Sequence, residues 1–288
     1  MNQALKSLID RYQPRTLQDW ENALKEIVQE LALLGLWRAK FYEHAAFYGG
    51  TALRIFHGLP RFSEDMDFSL LAAKDIDLAP YLEAIRVELA SLGFTFAVEP
   101  KVKQVTTAIE SAFIKGETRV NLLCIGAPEE LRQRLPKPQQ IRIKLEVDTD
   151  PPTGAHYEVQ TLLVPIPFQV KLFTLPCLFA GKLHAVVCRN WKARVKGRDF
   201  YDFIWYLGRG IPCHLPHLQK RMEQTGHWDS AEALELPALK QLLRDRFQVV
   251  DFEQAKADVR PFIRDDAELA LWDGDFFTGL VDRLEAGG

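Results

Sequence analysis

Apolar residues recur at helical spacing early in the chain. Trp20, Leu24, Ile27, Val28 and Leu31 fall on one face, and Thr16 followed by acids suits a helix start, so residues 16–46 are expected to be helical. The next stretch, AFYGGTALRIFHGLPRFSEDMDFSLL, reads as a strand, a glycine turn, a short helix and a second strand. Leu78, Leu82, Ile85, Leu89 and Leu92 mark an amphipathic helix over 78–92. TTAIESAFIKG and ETRVNLLCIG read as two strands with a hairpin signal at Lys115–Gly116, and a loop containing Pro and Arg follows over about 126–139. Alternation is cleanest over Ile141–Asp148, with Ile141, Ile143, Leu145 and Val147 on one face and Arg142, Lys144, Glu146 and Asp148 on the other. From about Pro176 the strand signals fade and helices with tryptophans take over. This order predicts an α+β fold, a mixed sheet with helices followed by a helical C-terminal domain. The expected divisions are an N-terminal helical segment over 1–45, a core over 46–172 and a helical domain over 173–288.

Composition narrows the function. The chain has 288 residues, is 47% hydrophobic and carries a net charge of −3, so it can bury one large core or two modest ones and is not a polyelectrolyte. Any contact with nucleic acid must come from a local patch. One exists on paper: Lys171, Lys182, Arg189, Lys192, Arg194, Lys196 and Arg198 fall in a stretch without an acid. Such a stretch would draw a triphosphate or an RNA backbone, or it would be a solvated loop pairing with acids elsewhere. The four cysteines form no C-x-x-C pair, and the histidines show no metal-binding spacing, so both residue types read as structural. There is no P-loop and no serine-hydrolase elbow. The start, MNQALKSLIDRYQP, lacks an apolar signal-peptide core, and no run of 18 apolar residues exists; a soluble cytoplasmic protein without a membrane partner is expected. The acidic stretch FIRDDAELALWDGDFF near the C-terminus reads as an amphipathic helix docked by its aromatics.

The sharpest constellation is Gly49–Gly50–Thr51 followed by Arg61, Ser63, Asp65 and Asp67. Two glycines let a backbone approach a ligand, Thr51 can cap the helix that follows, and the N–H groups of a helix start favour a phosphate. On a strand, Met66, Phe68 and Leu70 point to the core while Asp65, Asp67 and Ser69 point the other way. Same-face aspartates lie roughly 6.5–7 Å apart at Cα, so their carboxylates can converge on one divalent cation. A third acid from a neighbouring strand would complete a two-metal site; Glu146 is the first candidate and Asp148 the reserve. A bare D-x-D is commonly just a solvent-facing pair. The glycine turn, helix and D-x-D in this order set the present one apart.

The string GGTALRIFHGLPRFSEDMDF, with its R-x-S-x-D-x-D ending, resembles the AbiEii/AbiGii toxin branch of the DNA polymerase β-like nucleotidyltransferases. The helix bearing Lys182 and the later R-D-x-x-D of Arg198, Asp199 and Asp202 resemble that family's downstream motifs. The likeness spans about 46–207 in two blocks and names nothing in 1–45 or 208–288. It implies a polymerase β-like core and transfer of a nucleoside monophosphate from an NTP. Asp65, Asp67 and Glu146 would hold Mg²⁺, with Mn²⁺ as the alternative. Gly49, Gly50, Thr51, Arg61, Ser63, Lys182 and Arg198 would bind the nucleotide. Asp199 or Asp202 would orient Lys182 or Arg198, or act in the transfer. The resemblance further implies an RNA acceptor (the tRNA 3′ end foremost), a role in growth arrest or phage defence, and a cognate antitoxin. Small-molecule or protein acceptors, and a catalytically dead binding module, are the alternative readings.

Overall fold

The computed structural model describes residues 3–101, 107–135, 139–189 and 195–287. Its helices are α1 Gln3–Asp10, α2 Leu17–Arg38, α3 Gly49–His57, α4 Ala79–Ser91, α5 Thr118–Cys124, α6 Glu129–Arg132, α7 Leu175–Cys188, α8 Gly197–Gly208, α9 Leu215–Gln224, α10 Leu236–Val249, α11 Phe252–Val259 and α12 Gly274–Leu280. Its strands are β1 Ala45–Tyr48, β2 Met66–Leu70, β3 Ala97–Pro100, β4 Ile109–Glu117, β5 Gln140–Asp148, β6 Tyr157–Leu162, β7 Phe168–Phe173, β8 Cys213–His214 and β9 Ala286–Gly287. The fold is mixed α+β. Two compact units emerge: Met1–Ala52, Ser63–Pro151 and Val159–Leu172 form the first, and Leu53–Phe62, Pro152–Glu158 and Phe173–Gly288 form the second. Neither is one continuous stretch of chain. No helix among the described residues is long and apolar enough to cross a membrane.

A seven-stranded mixed sheet in the order β3-β4-β5-β2-β1-β7-β6 organises the first unit. β2 sits between antiparallel β1 and parallel β5, so the D-x-D strand is central. Ile141, Ile143, Leu145 and Val147 are all buried, as their alternation requires. α2 starts at a capping box: Thr16 accepts from the Asp19 N–H, and Asp19 accepts from the Thr16 N–H, a device that contributes about 1 kcal/mol. Gly35 lets α2 lie against α4, since a Cβ there would meet Ala84 O and Ile85 Cα at 2.9 Å.

Three expectations change. The early helix ends at Arg38, where Lys40 takes a left-handed φ of 61°. The apolar residues after it belong to a 3₁₀ turn, Phe41–Glu43, and to β1; so short an apolar run does not declare its period. The expected hairpin at Lys115–Gly116 is absent. β4 runs on through both residues, and the segment after it is helix α5, whose buried Thr118, Asn121 and Leu122, with Ile125 at its C-cap, follow a helical repeat. Gly116 is needed for space rather than for a turn, because a Cβ there would meet Asn121 Nδ2 at 2.6 Å and Phe96 Cδ1 at 2.7 Å. The acidic C-terminal stretch is not one helix but a 3₁₀ turn, Asp266–Leu269, and then α12. Asp273 breaks it by accepting from the Phe276 N–H at 2.8 Å, while Trp272 and Phe277 are buried as expected.

The second unit is helical, with a core of rings. Phe179 stacks on Tyr206 at 4.3 Å and Phe252 on Phe277 at 4.8 Å, with Phe200, Phe203 and Phe247 filling between. Cys177, Cys188 and Cys213 are buried, Cys124 is half-buried, and all four are free thiols.

Candidate functional site

In the first unit, β2 places Asp67 between buried Met66 and Phe68, and Asp65 immediately precedes the strand. The β2–β5 register sets Asp67 beside Glu146 and Ser69 beside Asp148. Neighbouring strands lie about 4.8 Å apart, so the Asp67 and Glu146 side chains leave the same face as neighbours. Asp148 is one pleat further on, and its Oδ1 accepts the Asp150 N–H at 3.1 Å. Glu146 already has company: Lys144 Nζ lies 2.6 Å from its Oε1 and Ser111 Oγ lies 3.5 Å away. Lys144 shares the polar face of β5 and holds the third carboxylate in an ion pair, a role the alternation left unassigned.

Gly49 faces Asp67. Its φ is +82°, and a Cβ on it would stand 2.5 Å from Asp67 Oδ2, so both backbone conformation and space demand glycine. Helix α3 begins at Gly49, which moves Thr51 inside its first turn and overturns the expectation of a Thr51 cap. The buried Thr51 hydroxyl instead donates to the Asp65 carbonyl and is hydrogen-bonded to Ser63 Oγ at 2.9 Å. Two α2 residues that pattern reading passed over hold the same loop. Buried Gln29 donates to the Ser63 carbonyl at 3.1 Å, and Lys25 pairs with Glu64 at 2.8 Å. A polar side chain 1% exposed on an apolar helix is the signal that could have singled out Gln29. The donors here are carboxylate oxygens, and oxygen-only sets suit hard divalent cations.

The second unit carries its own charge cluster. Arg61 binds Asp202 through both arms of its guanidinium, each at 2.6 Å, and donates to the Phe62 carbonyl at 3.0 Å. Lys182 bridges Asp199 at 2.7 Å and Asp202 at 2.8 Å, and Arg189 reaches Asp199 at 2.6 Å. Arg61, Asp199 and Asp202 are buried, and three cations against two carboxylates leave one net positive charge. Burial alone would push the Asp199 carboxyl up, but Lys182 and Arg189 outweigh it and hold Asp199 below the usual carboxylate range. Burial likewise works against the charged forms of Lys182 and Arg61, and the same aspartates outweigh it and raise both.

Arg198, expected at the nucleotide, lies over the Phe262 ring at 4.2 Å and 3.9 Å from Asp258. Lys171 lines a groove with Trp37 and Tyr42, at the opposite end of β1 from the Asp67 register position. Lys192, Arg194 and Trp191 lie outside the described residues. Trp205 carries the Arg209 guanidinium over its ring at 4.4 Å.

Over residues 31–276 the chain matches the model of the nucleotidyl transferase AbiEii toxin of type IV toxin–antitoxin systems, and it belongs to that family. It is therefore a nucleotidyltransferase, of a family that generally uses a divalent metal and an NTP and whose membership implies an antitoxin partner. The match continues well past residue 207, through helices in which no motif could be named. A candidate nucleotidyltransferase from H. pylori shares 16% identity over 90% of this chain and 92% of that one, with a TM-score of 0.49. JHP933 from Helicobacter pylori shares 16% identity over 90% of this chain and 89% of that one, with the same TM-score of 0.49. No curated protein matches the chain.

The glycine geometry carries a prediction. Gly49→Ala is expected to slow nucleotide transfer at least about tenfold and to cost about 1–3 kcal/mol of stability, because alanine strains the φ > 0 backbone and displaces the Asp67 carboxylate. Label-transfer rates and melting curves on the same preparation check both effects.

Proposed function

We propose that the chain moves a nucleoside monophosphate from an NTP to the 3′ end of an RNA, with tRNA the favoured acceptor. The observation that supports this reading is the register that sets Asp67 beside Glu146 on adjacent strands, with Gly49 against the Asp67 carboxylate and Asp65 just before the strand. These three carboxylates would hold Mg²⁺, or Mn²⁺ in its place. Bound there, the metal would polarise the α-phosphoryl group and ease ionisation of the attacking hydroxyl. The acceptor hydroxyl oxygen attacks the α-phosphorus, the bond to the β-phosphate oxygen breaks, and pyrophosphate leaves. Glu146 is the group we assign to take the hydroxyl proton, which requires release from Lys144. N–H groups of the α3 first turn, at Gly49 and Gly50, would donate to phosphate oxygens. Thr51 and Ser63 support this by fixing the Asp65 loop. The surplus positive charge around Lys182 and Arg61 suits a triphosphate, and Asp199 and Asp202 orient those cations.

RNA as acceptor, growth arrest or phage defence as role, and the cytoplasm as the place of action follow from the family resemblance. One observation favours a small-molecule or protein acceptor: Lys182, Arg189 and Arg198 of the basic stretch already face carboxylates. Incubation with Mg²⁺, each α-³²P-labelled NTP in turn and total bacterial RNA separates the readings. Label in a tRNA-sized band, with the parental protein only, is the expected result. Label on protein or on a small product, with none in RNA, would replace the RNA reading by the other.

A further inference from the structure

Outside the carboxylate site, the second unit gathers imidazoles and thiols from segments far apart in sequence. His156, Cys177 and His214 bring one ligand atom each to within 4.8 Å of one another; Cys177 and His214 are buried and His156 is exposed. His156 precedes β6, Cys177 lies in the first turn of α7, and His214 ends β8. The His156 backbone is fastened to the start of α7 twice. Its carbonyl accepts the Thr174 N–H at 3.0 Å, and its N–H donates to Cys177 Sγ at 3.3 Å. The His156 and His214 rings meet at 4.4 Å between centroids, with 62° between their planes. Beside them, His217 is buried, hydrogen-bonds the Thr153 carbonyl through Nδ1 and leaves Nε2 without a hydrogen-bond partner. Cys213 adds a second buried thiol next to His214.

We propose that His156, Cys177 and His214 bind one zinc-class divalent ion, with water at the fourth position on the exposed His156 side. One thiolate and two imidazoles form a borderline-soft set that selects Zn²⁺ over Mg²⁺, so this site is chemically separate from the oxygen donors of the first unit. In a tetrahedral zinc site, bond lengths of about 2.0–2.3 Å put donors about 3.3–3.6 Å apart, so modest side-chain rotations close the set. Binding expels the Cys177 thiol proton to solvent. His214 Nδ1 now accepts the His217 N–H at 3.2 Å, which leaves the ring proton on Nε2. Ligation through Nε2 moves that proton to Nδ1 and gives up this single capping contact. The backbone N–H already aimed at Cys177 Sγ is the kind of support that metal-bound sulfur receives from its surroundings. A second trio, His184, Cys188 and His227, is less suited. Both of its imidazoles hydrogen-bond Thr225, and Arg221 and Arg189 lie close enough to His184 to repel a cation.

Cobalt reports the sulfur directly. The full-length, untagged protein, stripped with chelator and titrated with Co²⁺, is expected to take up one equivalent with a sulfur-to-cobalt absorption band, and Zn²⁺ is expected to displace it. Asp67→Asn should leave the band intact. Cys177→Ser should abolish it, and His156→Ala, an exposed position that folding tolerates, should weaken Co²⁺ binding at least about tenfold. Chelation should lower the melting temperature of the parental protein by roughly 5 °C or more. A parental protein with no sulfur-to-cobalt band overturns the proposal. So does a band that survives both Cys177→Ser and His156→Ala, or one that is lost with Cys188→Ser instead.

Discussion

Asp67→Asn is expected to cut nucleotide transfer by at least about 10³-fold while the melting temperature stays within about 2 °C of the parent. The substitution keeps the size and shape of the side chain and removes a charge. At this position the charge is the function we assign: Asp67 pairs in register with Glu146, and a metal held there would depend on summed carboxylate charge. The strand does not need it. β2 is held by its ladders to β1 and β5 and by buried Met66, Phe68 and Leu70. Label transfer and thermal melting read the two halves of the prediction. A variant that transfers at the parental rate would remove Asp67 from the site.

Asp202→Asn should do the reverse, with its largest effect on stability. Asp202 is fully buried and holds both arms of Arg61 and the Lys182 ammonium. An amide in its place leaves the buried Arg61 and the half-buried Lys182 short of compensation, a loss of about 3–5 kcal/mol and a fall of roughly 10 °C in melting temperature. Asp199→Asn is expected to cost about half as much, because its partner Arg189 is 39% exposed and can regain water. Equal losses for the two variants would contradict this division. The cluster also sets an acid limit. Asp199 titrates below its ordinary value near 4, so its contribution is present above that value and disappears only as the pH falls through the lower folded value. Lys182, raised above its ordinary value near 10.4, loses its contribution only in more alkaline solution.

The parts legible in the sequence are those where one local period decides. Ile141–Asp148 alternates because one face is core, and Met66, Phe68 and Leu70 mark the core side of β2, so both strands and the position of the D-x-D on one of them could be read in advance. α2, α4 and α7 announce themselves by spacing, α2 also by its capping box and the other two by a proline in the first turn. The segment after Gly116 has a strand-like sequence because a seven-residue helix with valine and leucine shows only a turn or two of its period. β6 and β7 went unnoticed; Phe168, Val170 and Leu172 alternate, but over one short run among prolines. Pairing at a distance had no local trace. Arg61 and Asp202 are 141 residues apart, and nothing near either announces the other. Gln29 as anchor of the Ser63 loop, 34 residues away, likewise follows only from packing.

The threading of the chain bears on how the molecule is made. β1, the inner neighbour of the D-x-D strand, pairs on its other side with β7 through Phe47 and Leu172. That partner leaves the ribosome only after β2 to β6 have been synthesised. A nascent chain that has reached Pro151 can pair β1 with β2 but still lacks Val159–Leu172, and Leu53–Phe62 must wait longer for the helices of its own unit. Assembly is therefore late and dominated by contacts distant in sequence, the kind that fold slowly. Neither unit can be recovered by cutting the gene at one point. For a member of a toxin family this is protective: a half-made copy lacks a finished sheet around its carboxylates, and that sheet is completed only once the chain has been translated through β7.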